Sequence, residues 1–208
     1  KLRMADIPHL IDLQDIPNLS DISVEGSRVR MGAMVTQAQL IADQGLEHAA
    51  PLLKEAALQI ADPQVRYMGT VGGNVANGDP ANDMPGLMQC LDASFTLVGP
   101  NGTRAVKART FYEAAYMTAR EDEEVLTEIS FDAHAAGYAY EKQKRKIGDY
   151  ATAASAVLLS KDGDYCSSAS IAMTNLSDTP IFSEAAGAAL IGTQLDSSAI
   201  KQAVTAAL

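Results

Sequence analysis

Three short glycine-containing turns separate apolar, strand-length runs along this 208-residue chain. The turns are Glu25-Gly26, Pro100-Asn101-Gly102 and Asp162-Gly163-Asp164. Turns of this kind join strands that are neighbours in sequence, and strands joined so closely pair antiparallel. The chain is therefore predicted to contain hairpins rather than the strand–helix–strand units of a parallel sheet.

Helical patterns occupy separate stretches between the hairpins. Thr36 and Gln39 have capping-box spacing, which predicts a helix start at residue 36. The apolar residues after Pro51 recur at helical spacing, and Pro63 is expected to end that helix. Further helices are predicted for PGLMQCLDA, for FYEAAYM and for two alanine-rich stretches that begin near residues 183 and 196.

Together these patterns predict an α+β fold with a mainly antiparallel sheet and flanking helices. A small C-terminal subdomain of sheet plus helices is expected from residue 137, which divides the chain into residues 1–136 and 137–208. No strand leads through GxGxxG into a helix, so a doubly wound dinucleotide fold is disfavoured.

Composition narrows the possible functions. The net charge of −10 disfavours nucleic acid as a partner, and no apolar run has the length of a membrane span. Cys90 and Cys166 are too few for a disulfide framework or an iron–sulfur cluster, and the three histidines have no zinc spacing. We expect neither a metal site nor a hydrolase triad. The ends of the chain suggest a piece of a longer protein.

The segment RYMGTVGGNVANGDPANDMP, residues 66–85, is predicted to be a loop, and its part GTVGGN, residues 69–74, allows two interpretations. Adjacent glycines let the backbone turn its N–H groups toward one point and leave room for a closely approaching pyrophosphate. The alternative is a tight turn between two structural elements. No lysine follows as in a Walker A loop, so a magnesium-bound triphosphate is disfavoured.

Asp83 and the run EKQKRKIGDY, residues 141–150, also allow two interpretations each. Asp83 is placed to cap the helix that follows it, or to accept a hydrogen bond from a ribose hydroxyl. The basic run is either a solvated strand edge or a positive rim for an anionic cofactor or an acidic partner subunit. Tyr150 is either a core residue or part of a site.

Two long segments, taken in order, resemble the FAD-binding medium subunits of the molybdenum hydroxylases, the xanthine dehydrogenase family. They are IADPQVRYMGTVGGNVANGDPANDMPGLMQCLDA and GYAYEKQKRKIGDYATAASAVLL. The likeness covers nearly the whole chain and is strongest to the branch of aerobic carbon monoxide dehydrogenases. It implies the middle part of a PCMH-type FAD-binding fold in residues 1–136 and a C-terminal flavoprotein subdomain in residues 137–208.

The resemblance implies an electron-transfer subunit of an oxidoreductase. Such a subunit passes electrons from iron–sulfur clusters on a small partner subunit, through FAD, to an acceptor such as a quinone. The molybdenum cofactor on a large partner subunit oxidises the substrate, and the assembly is a dimer of heterotrimers. The expected location is cytoplasmic, with attachment of the complex to the inner face of the membrane as an alternative.

The resemblance also assigns cofactor-binding residues. Residues 70–74 match the family's second glycine loop, whose backbone would hold the FAD pyrophosphate. Asp83 is expected near the adenosine ribose, Leu126 against the flavin and Tyr150 at the isoalloxazine ring. The full set is Thr70, Val71, Gly72, Gly73, Asn74, Asp83, Leu126, Lys142 and Tyr150.

Two alternatives to this function stay open. The same subunit could serve a hydroxylase for an aldehyde, a purine or an N-heterocycle, or the chain could be a fragment that no longer binds FAD. The family's earlier glycine loop, Ala-Gly-Gly-x-Ser or Thr, has no match in this sequence and would precede Lys1. The chain is therefore expected to hold about half of the FAD shell and to bind flavin weakly or not at all on its own.

Overall fold

The computed structural model describes residues 8–134 and 136–207, within which every strand pair is antiparallel. In chain order the elements are β1 (Ile22–Glu25), β2 (Arg28–Gly32), α1 (Gln37–Ala42), α2 (Gln44–Ala49), α3 (Pro51–Ala57), α4 (Pro63–Met68), α5 (Val71–Ala76), α6 (Asp83–Cys90), β3 (Ser94–Gly99), β4 (Gly102–Lys107), β5 (Tyr112–Ala114), β6 (Met117–Thr118), β7 (Val125–Asp132), β8 (Gly137–Gln143), β9 (Ala153–Asp162), β10 (Tyr165–Thr174), β11 (Ile181–Phe182), α7 (Glu184–Leu190) and α8 (Ser197–Ala207). Antiparallel sheets with flanking helices confirm the predicted α+β class. Among the described residues, no helix has both the length and the hydrophobicity to cross a lipid bilayer.

The first sheet has five strands in the spatial order β1-β2-β7-β3-β4. Its central strand β7 pairs with β2 through Ile129 opposite Met31, and with β3 through Ile129 opposite Phe95. These three side chains are fully buried, because alternate residues of each strand point to the covered face. Helices α1, α2, α3, α5 and α6 and residues of β8, β9 and β10 contribute most of the rest of this core.

The second sheet has four strands in the order β11-β10-β9-β8. Helix α6 packs against β9 and β10, and α7 packs against β10 and α8. A smaller apolar cluster joins β10 to α7 and α8 through residues that include Cys166, Ile171 and Leu190. The Cys90 thiol at the end of α6 donates to the carbonyl oxygens of Ala156 and Ser170, so α6 is bonded to β9 and β10 of the second sheet.

The structure contains the three predicted turns and the predicted start of the first helix. The three predicted turns connect β1 to β2, β3 to β4 and β9 to β10, and Gly26, Gly102 and Gly163 have positive φ angles as such turns require. The capping box at Thr36 and Gln39 is present at the start of α1.

Two predicted features of the helices are wrong. Helix α3 ends at Ala57, and Pro63 instead occupies the first turn of α4, where its missing N–H costs nothing. The segment between Arg66 and Pro85, expected to be a loop, contains the end of α4, all of α5 and the start of α6. Adjacent glycines disfavour a helix on propensity, and tertiary packing of α5 overrides that preference.

The predicted helix FYEAAYM is also wrong. A single 3₁₀ turn, Ala108–Thr110, leads into the β5–β6 hairpin. Phe111 is fully buried and packs edge-on against Phe95, with ring centroids 4.8 Å apart. Tyr116 has a φ of +61°, a left-handed conformation that ends any helix there. Burial of the aromatic side chains therefore decides the backbone conformation, which the local sequence pattern could not foresee.

Candidate functional site

The glycine segment forms the N-terminal end of helix α5. Thr70 is the N-cap residue, and its hydroxyl accepts a hydrogen bond from the Gly73 N–H at 3.0 Å. The segment is tied to the strand-and-loop stretch before α1, because the Val71 N–H donates to the Val35 carbonyl at 2.8 Å and the Gly72 N–H to the Ala33 carbonyl at 2.9 Å. The helix is thus held against the end of β2.

Gly72 is the residue that permits this close approach. A Cβ atom built on Gly72 would lie 2.5 Å from the Cβ of Ala33 and 2.6 Å from its carbonyl oxygen. Real Cβ atoms do not approach other atoms so closely, and a core at native density has no space to relieve the contact. At this position glycine serves helix packing.

The backbone donors of the segment are therefore already in use. The N–H groups of Val71, Gly72 and Gly73 all donate to acceptors within the chain, as does that of Asn74, which donates to the Thr70 carbonyl at 3.1 Å. The sequence suggested that backbone N–H groups of this segment converge on a pyrophosphate. In the structure these four N–H groups donate to acceptors within the chain instead. The groups left to face a ligand are the Thr70 hydroxyl, the exposed Cα of Gly73 and the side chain of Asn74.

A groove next to α5 brings four of the predicted residues together. It has a volume of about 230 Å³, and its mostly apolar lining includes Thr70, Gly72, Gly73 and Leu126. Leu126 is 5% exposed and reaches the groove from β7, where it pairs with a residue of β3. Complete small-molecule sites usually have volumes of about 300 to 1,000 Å³, so this groove accommodates only part of a dinucleotide.

Arg120 also lines this groove and was missed by sequence reasoning. Its guanidinium donates to the carbonyl oxygens of Glu121 at 2.6 Å and Glu124 at 2.9 Å, which closes the turn before β7. The acidic run REDEE looks like a solvated loop in the sequence. Only the fold places its one arginine beside the glycine segment.

Glu124 holds the same turn in place and gives it a pH dependence. A bidentate pair with Arg104, at 2.6 and 2.7 Å, together with the Glu121 N–H, lowers the pKa of Glu124 from 4.5 to about 2. Because the folded-state pKa lies below the unfolded one, the stabilisation is fully present above about pH 4.5 and is lost as the pH falls toward 2.

We therefore expect the stability difference between the native protein and Glu124→Gln to shrink as the pH falls from 4.5 toward 2. Urea unfolding midpoints measured at about pH 6 and about pH 3 would show this difference. The matched control is Glu123→Gln, because Glu123 is exposed in the same turn. A Glu124→Gln difference that does not change with pH would contradict the assignment.

Asp83 lies in a buried polar cluster with Tyr140 and Lys142. The Tyr140 hydroxyl donates a hydrogen bond to Asp83 Oδ1, and Lys142 Nζ lies 2.9 Å from Asp83 Oδ2. The side chains of Asp83 and Lys142 are only 5% and 1% exposed. Burial, with the Asp83 charge adding to it, raises the pKa of Tyr140, so its hydroxyl stays protonated and acts as a donor.

This cluster corrects two interpretations of the sequence. The N-cap of α6 is Asn82, without a side-chain cap bond, and Asp83 is the first helical residue. Lys142 is not a solvated edge residue, because its ammonium is buried against Asp83. The cluster instead joins α6 to β8, which belong to different predicted subdomains. Tyr140 was missed, since one tyrosine in an alternating strand has no distinguishing mark.

Asn74 contributes an unsatisfied polar atom. Its Oδ1 is buried and has no hydrogen-bond partner among the described residues, while its backbone carbonyl accepts from Asn82 Nδ2 at 3.2 Å. A buried acceptor without a partner costs about 1–3 kcal/mol. A ligand hydroxyl, such as those of FAD, would satisfy this atom, so Asn74 fits the proposed cofactor.

Tyr150 lies on the surface, 61% exposed, and not in the core. The negative charge of Asp79 and a hydrogen bond to it raise the pKa of Tyr116, and Tyr150 is near enough to add to that shift. Tyr116 is 64% exposed, and its N–H donates to the Gly78 carbonyl at 2.8 Å. Tyr116 therefore lies at the loop that follows the glycine segment, and both tyrosines are exposed.

The chain matches the models of two known protein families. Residues 1–131 match the model described as the FAD binding domain in molybdopterin dehydrogenase, and residues 138–208 match the CO dehydrogenase flavoprotein C-terminal domain. The chain belongs to this family of FAD-binding oxidoreductase subunits, which confirms the predicted resemblance.

Two relatives and one solved structure match nearly the whole chain. The chain is 54% identical to the carbon monoxide dehydrogenase medium chain of Afipia carboxidovorans, covering 100% of this chain and 73% of that protein. It is 46% identical to the medium chain of the same name from Hydrogenophaga pseudoflava, with the same coverage. Among solved structures, reconstituted CO dehydrogenase from Oligotropha carboxidovorans superposes with a TM-score of 0.95 at 54% identity, covering 98% of this chain and 72% of that one.

Proposed function

We propose that this chain is the FAD-binding electron-transfer subunit of a carbon monoxide dehydrogenase-like molybdenum hydroxylase. In this role it accepts electrons from the iron–sulfur clusters of a small partner subunit and passes them to an acceptor such as a quinone. A large partner subunit carries the molybdenum cofactor and oxidises the substrate. The proposed assembly is a dimer of heterotrimers, formed in the cytoplasm.

The observation that carries this proposal is the groove beside α5. Its lining joins Thr70, Gly72 and Gly73 of one segment to Leu126, which is distant from them in sequence, and the resemblance assigns all four to one cofactor. FAD supplies two-electron and one-electron redox chemistry when bound, and the protein supplies its position and surroundings. The acidic chain, with a net charge of −10, has no basic surplus for nucleic acid.

The residues of the chain take different roles in this proposal. Thr70, Gly73 and Asn74 face the cofactor directly, whereas Val71 and Gly72 hold α5 in place behind them. Leu126 forms an apolar wall of the groove. Each role follows from what the side chain or N–H group already contacts: groups that bond within the chain support the site, and groups left open contact the ligand.

Three further residues act at other parts of the proposed site. Both carboxylate oxygens of Asp83 are engaged by Tyr140 and Lys142, so Asp83 and Lys142 support the adenosine side of the site from behind. Tyr150 is exposed and offers its ring to the isoalloxazine. The division into residues 1–136 and 137–208 places Tyr150 on the second subdomain, so the flavin would lie where the two meet.

The test of the function uses the complete assembly. Carbon monoxide added anaerobically to the complex should bleach the flavin absorbance near about 450 nm, because electrons from the substrate reach FAD. An aldehyde, a purine and an N-heterocycle serve as competing substrates. Bleaching by one of these and not by carbon monoxide would transfer the subunit to another hydroxylase. A complex without stoichiometric FAD would overturn the electron-transfer role itself.

A separate prediction concerns the isolated 208-residue chain. Since the groove is smaller than a complete dinucleotide site, we expect this chain alone to bind FAD at least about tenfold more weakly than the full-length protein in its assembly. Equilibrium dialysis with FAD measures both affinities. Stoichiometric flavin retained by the isolated chain through gel filtration would contradict the prediction.

A further inference from the structure

The loop of residues 144–150 is attached to the junction between α3 and α4, residues 58–62, at two points. Lys144 Nζ donates to Gln59 Oε1 at 2.6 Å. Four residues later, Gly148 packs directly against the backbone of Ala61. The loop carries Tyr150 at its end, so these two attachments lie between the β8 strand and the exposed tyrosine.

The contact of Gly148 is between backbone atoms. Gly148 has a φ of +77°, and a Cβ built on it would lie 2.6 Å from the Ala61 carbonyl oxygen and 2.9 Å from its carbonyl carbon. Neither atom belongs to a flexible side chain that could rotate away. A residue with a side chain at position 148 therefore has to displace the whole loop from the junction.

Ala61 is itself fixed. It adopts a φ of +46°, which is unfavourable for a residue with a Cβ, and such a conformation persists only when its surroundings hold it. Arg66 does so by donating from Nη1 to the Ile60 carbonyl at 2.9 Å and to the Ala61 carbonyl at 3.3 Å. The junction is a rigid support for the loop.

The loop is also braced internally. Arg145 pairs with Asp149 at 3.2 Å, the Asp149 N–H donates to the Lys146 carbonyl, and the Tyr150 N–H donates to Asp149 Oδ1 at 3.0 Å. Just beyond, Asn175 Nδ2 donates to the Ala151 carbonyl at 2.7 Å. The backbone of Tyr150 is thus fixed while its ring faces outward.

We infer that Gly148 is a positioning residue for Tyr150: its contact with the Ala61 backbone, supported by Arg66, sets where the Tyr150 ring lies relative to the flavin. This inference rests on the proposed function, in which Tyr150 lies at the isoalloxazine ring. It assigns a role to the α3–α4 junction, which lies far from Tyr150 in sequence.

The first comparison of the test is between two alanine substitutions in the full-length, FAD-loaded chain within its natural assembly. Gly148→Ala introduces the clash with Ala61. Gly192→Ala is the matched control, since Gly192 has the same φ of +77° and no atom within 4 Å of a built Cβ. The readout is flavin fluorescence per bound FAD, because an aromatic ring stacked on the isoalloxazine quenches its emission.

Tyr150→Ala should raise the emission about threefold or more, Gly148→Ala should approach that level, and Gly192→Ala should match the native protein. The double variant of Gly148→Ala with Tyr150→Ala should be no brighter than Tyr150→Ala alone. Native emission from Gly148→Ala, beside bright Tyr150→Ala, would overturn the inference and leave the proposed function intact. Unchanged emission from Tyr150→Ala would overturn the inference and also the proposed position of Tyr150 at the isoalloxazine ring. The proposed electron-transfer function is tested separately, by the FAD content and by bleaching with carbon monoxide.

A second pair of variants covers the case in which Gly148→Ala does not fold. Lys144→Met removes the bond to Gln59 but keeps the length of the side chain, and it should raise the emission in the same direction by a smaller factor. Lys146→Met is its control, because Lys146 is exposed in the same loop. Equal emission from Lys144→Met, Lys146→Met and the native protein would count against the positioning role.

Discussion

Asp83→Asn is expected to lower the free energy of unfolding by about 3–5 kcal/mol, the cost of leaving one partner of a buried ion pair without its counter-charge. The substitution keeps the shape of the side chain and removes the charge that Lys142 Nζ faces at 2.9 Å. It also replaces the carboxylate that accepts from the Tyr140 hydroxyl by a weaker acceptor. Urea denaturation of the folded protein measures the loss.

The matched control is Asp132→Asn, which removes an exposed ion pair. Asp132 pairs with Arg28 at 3.3 Å, and their side chains are 77% and 40% exposed. Solvent screens such a pair, so the expected loss is below about 1 kcal/mol. If Asp83→Asn cost no more than Asp132→Asn, the buried cluster would not stabilise the fold.

A double variant separates the charge from the packing. In Asp83→Asn with Lys142→Met, no ammonium remains buried without a partner, so we expect recovery of more than half of the stability lost by Asp83→Asn alone. Tyr140 keeps an amide oxygen to donate to. No recovery would indicate that the loss comes from the Tyr140 hydrogen bond or from a shift of α6, and not from Lys142.

Gly72→Ala is expected to destabilise the protein by about 1–3 kcal/mol, although alanine is the better helix former. The gain in helix propensity is at most about 1 kcal/mol, whereas the new Cβ would lie 2.5 Å from the Cβ of Ala33. Helix α5 therefore has to move away from Ala33. Since Thr70 and Gly73 move with it, the assembled protein should also lose affinity for FAD by about tenfold or more.

Gly45→Ala provides the control for this variant. Gly45 is the second residue of α2, as Gly72 is of α5, and a Cβ built on it meets nothing closer than 3.3 Å. The unfolding free energy of Gly45→Ala should stay within about 1 kcal/mol of the native value, and its affinity for FAD should be unchanged. Equal effects of the two substitutions, in denaturation and in FAD titration, would refute the close-packing role of Gly72.

Local sequence patterns predicted those elements whose own residues decide them. The glycine turns gave the hairpins, and the reciprocal bonds of Thr36 and Gln39 gave the start of α1. The same kind of pattern failed at FYEAAYM, where Phe111 gains more from burial against Phe95 than the segment gains from helix formation. Local sequence patterns also failed to predict α5, because the unfavourable helix propensity of glycine is small compared with the energy of packing α5 against Ala33.

The sequence predicted which residues form the candidate site better than it predicted how those residues act. Resemblance indicated Thr70, Gly72, Gly73 and Leu126, and the fold brings these four to one groove. It could not show that the N–H groups of Val71 and Gly72 donate within the chain, because their acceptors, the carbonyl oxygens of Val35 and Ala33, lie more than thirty residues away. Nor could it show that the Asp83 carboxylate is occupied.

The sequence by itself determined the hairpins, the α+β class, the acidic character of the chain and its membership of an FAD-binding family. These properties depend on turn chemistry, periodicity, composition and motif order, all of which are local or additive along the chain. Only the tertiary structure decided which polar groups remain free for a ligand. Tyr140, Arg120 and Gly148 gain their roles from neighbours distant in sequence, because burial and close approach are properties of pairs of segments and not of either segment alone.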